Sequence, residues 1–259
     1  MTSTNVVIKC ADLDTAVEYY AGQRGFLLHS IFPADDPQVI TMLRDGLQLQ
    51  LERVPHEPLA AGEWRVGRAG MRYRDLLADR CGGRIIASHI RIPGAGPVPD
   101  YVHYHDIELQ LIYCHAGWVK VVYEDQGEPF VLRCGDAALQ PPLIRHRVLE
   151  SGDDLEVIEV TVPAEHRTFV DHELSLPTAA TAPDRRWSDQ RFVHHVAAAA
   201  TWKPWRDTDW QARDLGIAAA AIHILRPTGN DTAGTRMHLA LPDAEPVLLE
   251  LPTAGNATS

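Results

Sequence analysis

Apolar and polar positions alternate differently in three parts of the chain. Between residues 5 and 54 the pattern predicts strand, helix, strand, strand, strand. "NVVIKC" has the length and β-branched content of a strand. "ADLDTAVEYYAGQRG" carries Leu13, Val17 and Tyr20 on one helical face, with Asp12 or Asp14 as the N-cap and Gly25 as the stop. The runs "FLLHSIF", "VITML" and "LQLQLERV" follow, the last two joined by Asp45-Gly46, a dipeptide suited to a tight hairpin turn. The first module is set at residues 1–55, and the weakly periodic residues 56–80 are a connector.

From residue 81 the texture becomes all-β. "GRIIASHIRI", "YVHYH", "LQLIYCH", "WVKVVYED", "FVLR", "AALQ", "RHRVLE" and "LEVIEVTV" are short strand-like runs, separated by turn signals such as Pro93-Gly94, Gly135-Asp136 and Gly152-Asp153. Strands so closely spaced predict a sandwich or jelly-roll barrel over residues 81–178; a parallel sheet would need helices that are missing. Residues 186–250 predict a few further strands packed on the barrel, and 251–259 a tail. "LGIAAAAIHILRP" echoes "GGRIIASHIRIP" at the barrel's entrance, as a partial second copy would.

Composition removes several function classes. The chain has 259 residues, 45% hydrophobic and 23% charged, the balance of an ordinary folded protein. Its net charge of -11, with no Lys/Arg run interleaved with aromatics, opposes nucleic-acid binding. The longest uncharged apolar run, "LGIAAAAIHIL", is shorter than the roughly 18 to 20 residues of a membrane span. "MTSTNVVIKC" does not read as a secretory leader, and Cys10, Cys81, Cys114 and Cys134 form no C-x-x-C pair. The expectation is a cytoplasmic protein with reduced thiols and a small-molecule substrate.

The chemistry concentrates in "VPDYVHYHDIELQLIYCHAGW". On a strand, His103 and His105 point to one face and Tyr104 to the other, so the two imidazoles can share a metal. Gln110, Ile112 and Cys114 share one face of the next strand, and His115 lies on the opposite face, where packing is its expected role.

Two families are resembled. The βαβββ order of residues 4–54, with "DLDTAVEYYAGQRGF" and "FPADDPQVITML", is similar to one module of the vicinal oxygen chelate (glyoxalase-like) family, whose metal ligands sit on the first and last strands. Here the first strand offers none and the last offers Gln48, Gln50 and Glu52, so the module is expected to be a structural or substrate-covering appendage. The second resemblance covers residues 81–178. His-x-His-x4-Gln-x6-Gly, ending at Gln110 and Gly117, and Gly-x5-Pro-x4-His, with Gly135, Pro141 and His146, resemble in order the two motifs of the cupin family.

The cupin resemblance implies a mainly β fold, a double-stranded β-helix flanked by the βαβββ module and a degenerate cupin-like extension. It also implies a divalent ion, with His103, His105 and His146 as ligands and Gln110 where the family usually has Glu. Leu143 replaces the second motif's usual Gly, Glu150 its frequent Asn, and Gly96 comes one residue early. Gln is a neutral donor, so an ion held here keeps a formal charge of about +2 and favours an anionic bidentate oxygen substrate. Two alternatives stay open: three histidines alone, or Glu108 as the carboxylate. Glu150, in phase with His146, is a candidate base, and Tyr113 a second candidate catalytic group. The resulting expectation is a non-haem dioxygenase, Fe(II) favoured, with Zn, Ni or Mn possible. A redox-free cyclase, isomerase or lyase, or a non-catalytic binding module, are the alternatives, and the resemblance implies a homodimer.

Overall fold

The computed structural model describes residues 4–54, 62–67, 70–228, 234–242 and 244–253. Part of the expected connector and most of the expected tail lie outside these residues. The first module forms as its pattern predicts: β1 (Thr4–Cys10), α1 (Leu13–Arg24), β2 (Leu27–Phe32), β3 (Val39–Arg44) and β4 (Leu47–Arg53). Asp12 is the N-cap, its carboxylate accepting from the Thr15 N–H at 3.0 Å, and Gly25 ends the helix at φ 68°. Leu13 packs with Ile31, Ile40, Met42, Leu49 and Leu51, and Val17 and Tyr20 cover the same cluster. Asp45 and Gly46 turn the β3–β4 hairpin with φ 47° and 78°.

The connector is more ordered than its sequence suggests. β5 (Arg65–Val66), β6 (Arg72–Asp75) and a kinked helical turn, α2 (Arg80–Gly83), precede β7 (Ile86–Ile92). The barrel continues through β8 (Gly96–Pro97), β9 (His103–Asp106), β10 (Leu109–Ala116), β11 (Trp118–Tyr123) and β12 (Phe130–Arg133). It closes with β13 (Ala137–Gln140), β14 (His146–Ser151), β15 (Leu155–Val162) and β16 (Arg167–Val170). All eight expected strands are present. The β10–β11 turn requires glycine: Gly117 has φ 70°, and a Cβ there would stand 3.1 Å from the Leu155 Cα.

Two sheets face each other as a jelly roll. One runs β12-β11-β14-β9-β16 and continues without a break into the first module, β2-β3-β4-β1, where only the β1–β4 pair is parallel. The other runs β13-β10-β15-β7-β6-β5, extended at its β13 edge by β19 (Val193–His195), which follows a small hairpin of β17 (Arg186–Trp187) and β18 (Gln190–Arg191). The last strands, β20 (Lys203–Pro204), β21 (Trp210–Asp214), β22 (Ala221–Pro227), β23 (Arg236–Ala240) and β24 (Val247–Glu250), form an antiparallel meander. Ile222, Ile224, Met237 and Leu239 pack it onto the outer face of the second sheet, against Leu109, Leu111, Tyr113, Leu139 and Val160. β20-β21-β22 repeats the antiparallel succession of β5-β6-β7, but Arg74 faces His89 in the first and Asp214 faces His223 in the second. No helix among the described residues is long and apolar enough to cross a membrane.

Candidate metal centre

Strand alternation aims His103 and His105 from β9 into the barrel, while Tyr104 turns outward to stack on Phe169. β14 is hydrogen-bonded to β9 with His146 in register with His103, which carries the third imidazole to the same place. The three are 3%, 9% and 6% exposed, in the order His103, His105, His146. Their ring centroids are 4.2 Å (His103–His146) and 5.2 Å (His105 to each) apart, and one ring nitrogen from each lies within 4.8 Å of the others.

Each ring is held by its Nδ1. That of His103 donates to the Tyr101 carbonyl at 2.8 Å and that of His146 to the Ile144 carbonyl at 3.0 Å, while His105 Nδ1 pairs with the Thr168 hydroxyl at 3.0 Å. A carbonyl only accepts, so Nδ1 carries the proton in His103 and His146, and the lone pair resides on Nε2. This is the tautomer and restraint that an imidazole ligand needs. The donor set therefore fits a divalent ion.

Gln110 lines the same cavity from β10. Its Nε2 donates to Glu159 Oε1 at 2.9 Å, and its Oε1 is buried with no protein partner. A carboxylate oxygen can only accept, so the amide's orientation is fixed with its oxygen left over, as suits a ligand. Glu159 comes from β15, where it also accepts from the Thr161 hydroxyl at 3.2 Å. Glu108 is not the missing carboxylate: it is exposed, 3.6 Å from Arg84, because the β9–β10 turn directs it to solvent.

The two catalytic candidates lie elsewhere. A bulge in β14 changes the register against β11, from Val121↔Val148 to Lys120↔Glu150; Val148 lines the cavity and Glu150, beyond the bulge, does not. Tyr113 alternates with Ile112 to the outer face of β10, under the C-terminal meander, where burial pushes its hydroxyl up to about 12. Cys114 is fully buried beyond the cavity, its thiol pushed up to about 12 by burial, and His115 packs on the opposite face beside His89.

The cavity, of about 130 Å³, is walled mostly by Ile86, Ile90, Ile112, Val121, Leu155 and Val157. Polar contributors that the sequence reading did not place at the site include Glu159, His166, Thr168 and Asp35, with Ser88 and Gln140. His166, next to His105 with centroids 5.5 Å apart, donates from Nδ1 to the Ala164 carbonyl at 3.3 Å. The i, i+2 spacing of His166 and Thr168, the same as in H-x-H, is the signal that marks a shared face. Asp35 belongs to the loop between β2 and β3, so the first module closes the mouth. Its Oδ2 accepts from Arg65 and Arg80, both at 2.7 Å, and Asp75 bridges the same two guanidinium groups at 2.9 and 2.8 Å. The Ala34 N–H donates to the His166 carbonyl at 3.1 Å, pinning the loop to the barrel.

A jelly roll whose interior gathers an H-x-H strand and a distant histidine at one point has the arrangement that the cupin resemblance implies, here as a candidate metal centre. Among solved structures, similarity is found to the polyketide cyclase RemF from Streptomyces resistomycificus (19% identity, 48% of this chain and 89% of that one, TM-score 0.36). A RmlC-like cupin from Shewanella frigidimarina is similar at 22% identity, over 43% of this chain and 93% of that one, with TM-score 0.34. KdgF from Halomonas sp. is similar at 20% identity, over 39% and 87%, with TM-score 0.32. No protein-family model matches the chain, and no curated protein sequence does.

Proposed function

We propose that this chain is a metal-dependent enzyme, a non-haem dioxygenase acting on a small molecule that chelates through two oxygens. The observation that supports this is the neutral donor set: three imidazoles and the Gln110 oxygen, with the Glu159 carboxylate occupied by Gln110 and Thr161. When bound, a divalent ion would supply a Lewis-acidic point with its positive charge uncompensated, redox-capable for the favoured Fe(II) and not for Zn, which with Ni or Mn suits the same donors. Thr168 and the Tyr101 and Ile144 carbonyls hold the imidazoles in place. The Ile and Val walls give the centre an apolar surround. An anionic oxygen pair on the substrate offsets the charge that the protein leaves unmatched.

A second reading, a redox-free cyclase, isomerase or lyase, is favoured by Glu159 and His166, since proton transfer needs an acceptor inside the cavity. The test begins with elemental analysis of protein purified without a histidine tag. The expected result is one divalent ion per chain, lost in a His103→Ala/His146→Ala variant that keeps its β-rich circular dichroism. Oxygen uptake with a chelating substrate supports dioxygenation; turnover without it supports the second reading. An ion retained by the double variant overturns the site.

A further inference from the structure

Three polar side chains in the cavity lining each keep one buried atom that no protein group satisfies: Gln110 Oε1, Asp35 Oδ1 and His166 Nε2. All three are acceptors, each for a structural reason. Glu159 takes the Gln110 NH2 and leaves the oxygen, which belongs to the ion's donor set. Arg65 and Arg80 both bind Asp35 Oδ2 and leave Oδ1. The Ala164 carbonyl takes the Nδ1 proton of His166 and leaves the Nε2 lone pair. A fourth lining group, Gln140, keeps its Oε1 unpartnered while its Nε2 donates to the Tyr123 hydroxyl at 2.8 Å. A phenol O–H can also donate, so this pair adapts to either polarity. The remaining wall is apolar, and the cavity's volume of about 130 Å³ approaches the roughly 150 Å³ of an apolar cavity that takes up benzene.

We infer that the substrate is a molecule of single-ring size bearing several hydroxyl groups, whose O–H donors satisfy Asp35 and His166 while its apolar body lies against Ile90, Ile112, Val121 and Val157. This rests on the reading that the centre takes an oxygen-chelating substrate, and it adds what the rest of that substrate must carry. Buried acceptors left unmet weaken binding, so a ligand without donors is rejected even when it fits. A carboxylate or phosphate brings only acceptors, and its charge opposes Asp35. The first module thereby supplies part of the specificity, through Asp35.

Calorimetry on the metal-loaded protein tests this with three probes. Resorcinol has two O–H donors set too far apart to chelate one ion, and 1,3-dimethoxybenzene has the same ring and none. Resorcinol is expected to bind at least about tenfold tighter. Asp35→Asn, whose amide oxygen turns to the two arginines and presents NH2 to the cavity, narrows that ratio while preserving shape. Equal affinities, a preference for the ether, or no resorcinol binding at millimolar concentration overturns the inference. Catechol examines chelation separately: if it binds no tighter than resorcinol, the chelating reading fails while the donor preference stands.

Discussion

Leu143 occupies a left-handed conformation, φ 65°, at the motif position where cupins usually have glycine. A branched side chain there is strained by about 1–2 kcal/mol, and at 41% exposure Leu143 recovers little by burial. Leu143→Gly is therefore expected to raise stability by up to about 1 kcal/mol once the entropy of the added glycine is subtracted, read as an upward shift of the denaturation midpoint. Thr168 offers the opposite experiment. Thr168→Val removes the hydroxyl that pairs with His105 Nδ1 and is expected to weaken metal retention by about 10- to 100-fold, measured by competition with a chelator, without loss of fold. The three histidines and Gln110 were legible because strand alternation and motif spacing fix them. Glu159 was not: in "LEVIEVTV" both faces are apolar and both are buried, so the phase that points inward cannot be read from the pattern.

At the scale of elements, the eight barrel strands announced themselves, whereas β5, β6 and β16 did not. β6 is "RYRD" and β16 "RTFV", four residues each with charge at one or both ends; β16 takes its pairing from β9 and β2, distant in sequence, whereas β6 pairs with its chain neighbours β5 and β7. The misplacement of Glu150 has a similar origin, since a bulge is set by the partner strand. The C-terminal meander is held by side chains with no exposure, among them Ile222 and Met237. Ile222→Ala is expected to cost about 2–5 kcal/mol in urea unfolding while leaving metal content unchanged, because this interface lies on the far side of β10 from the imidazoles.

For the molecule as a whole, acid is the expected weakness. His89 is fully buried between Arg74 and Glu156, and burial depresses it to about 4, with Glu156 opposing and Arg74 and Arg91 adding to the shift. Burial also lowers His115, His194, His195, His223 and His238. An unfolded chain takes up these protons near pH 6.5, where the folded one refuses them. Stability is thus complete above about 6.5 and falls as the pH drops toward about 4. Urea midpoints measured across that window are expected to decline, and His89→Gln to flatten the decline.

The unbroken sheet from β1 to β12 also governs how anything reaches the chamber. β2 is zipped to β16, and β16 to the strand bearing His103 and His105. The first module therefore cannot swing aside like a door without tearing the ladder that seats the metal ligands. The short segment around Asp35 is joined to its surroundings by contacts of another kind, the Ala34–His166 hydrogen bond and the ion pairs to Arg65 and Arg80, which lie outside that ladder.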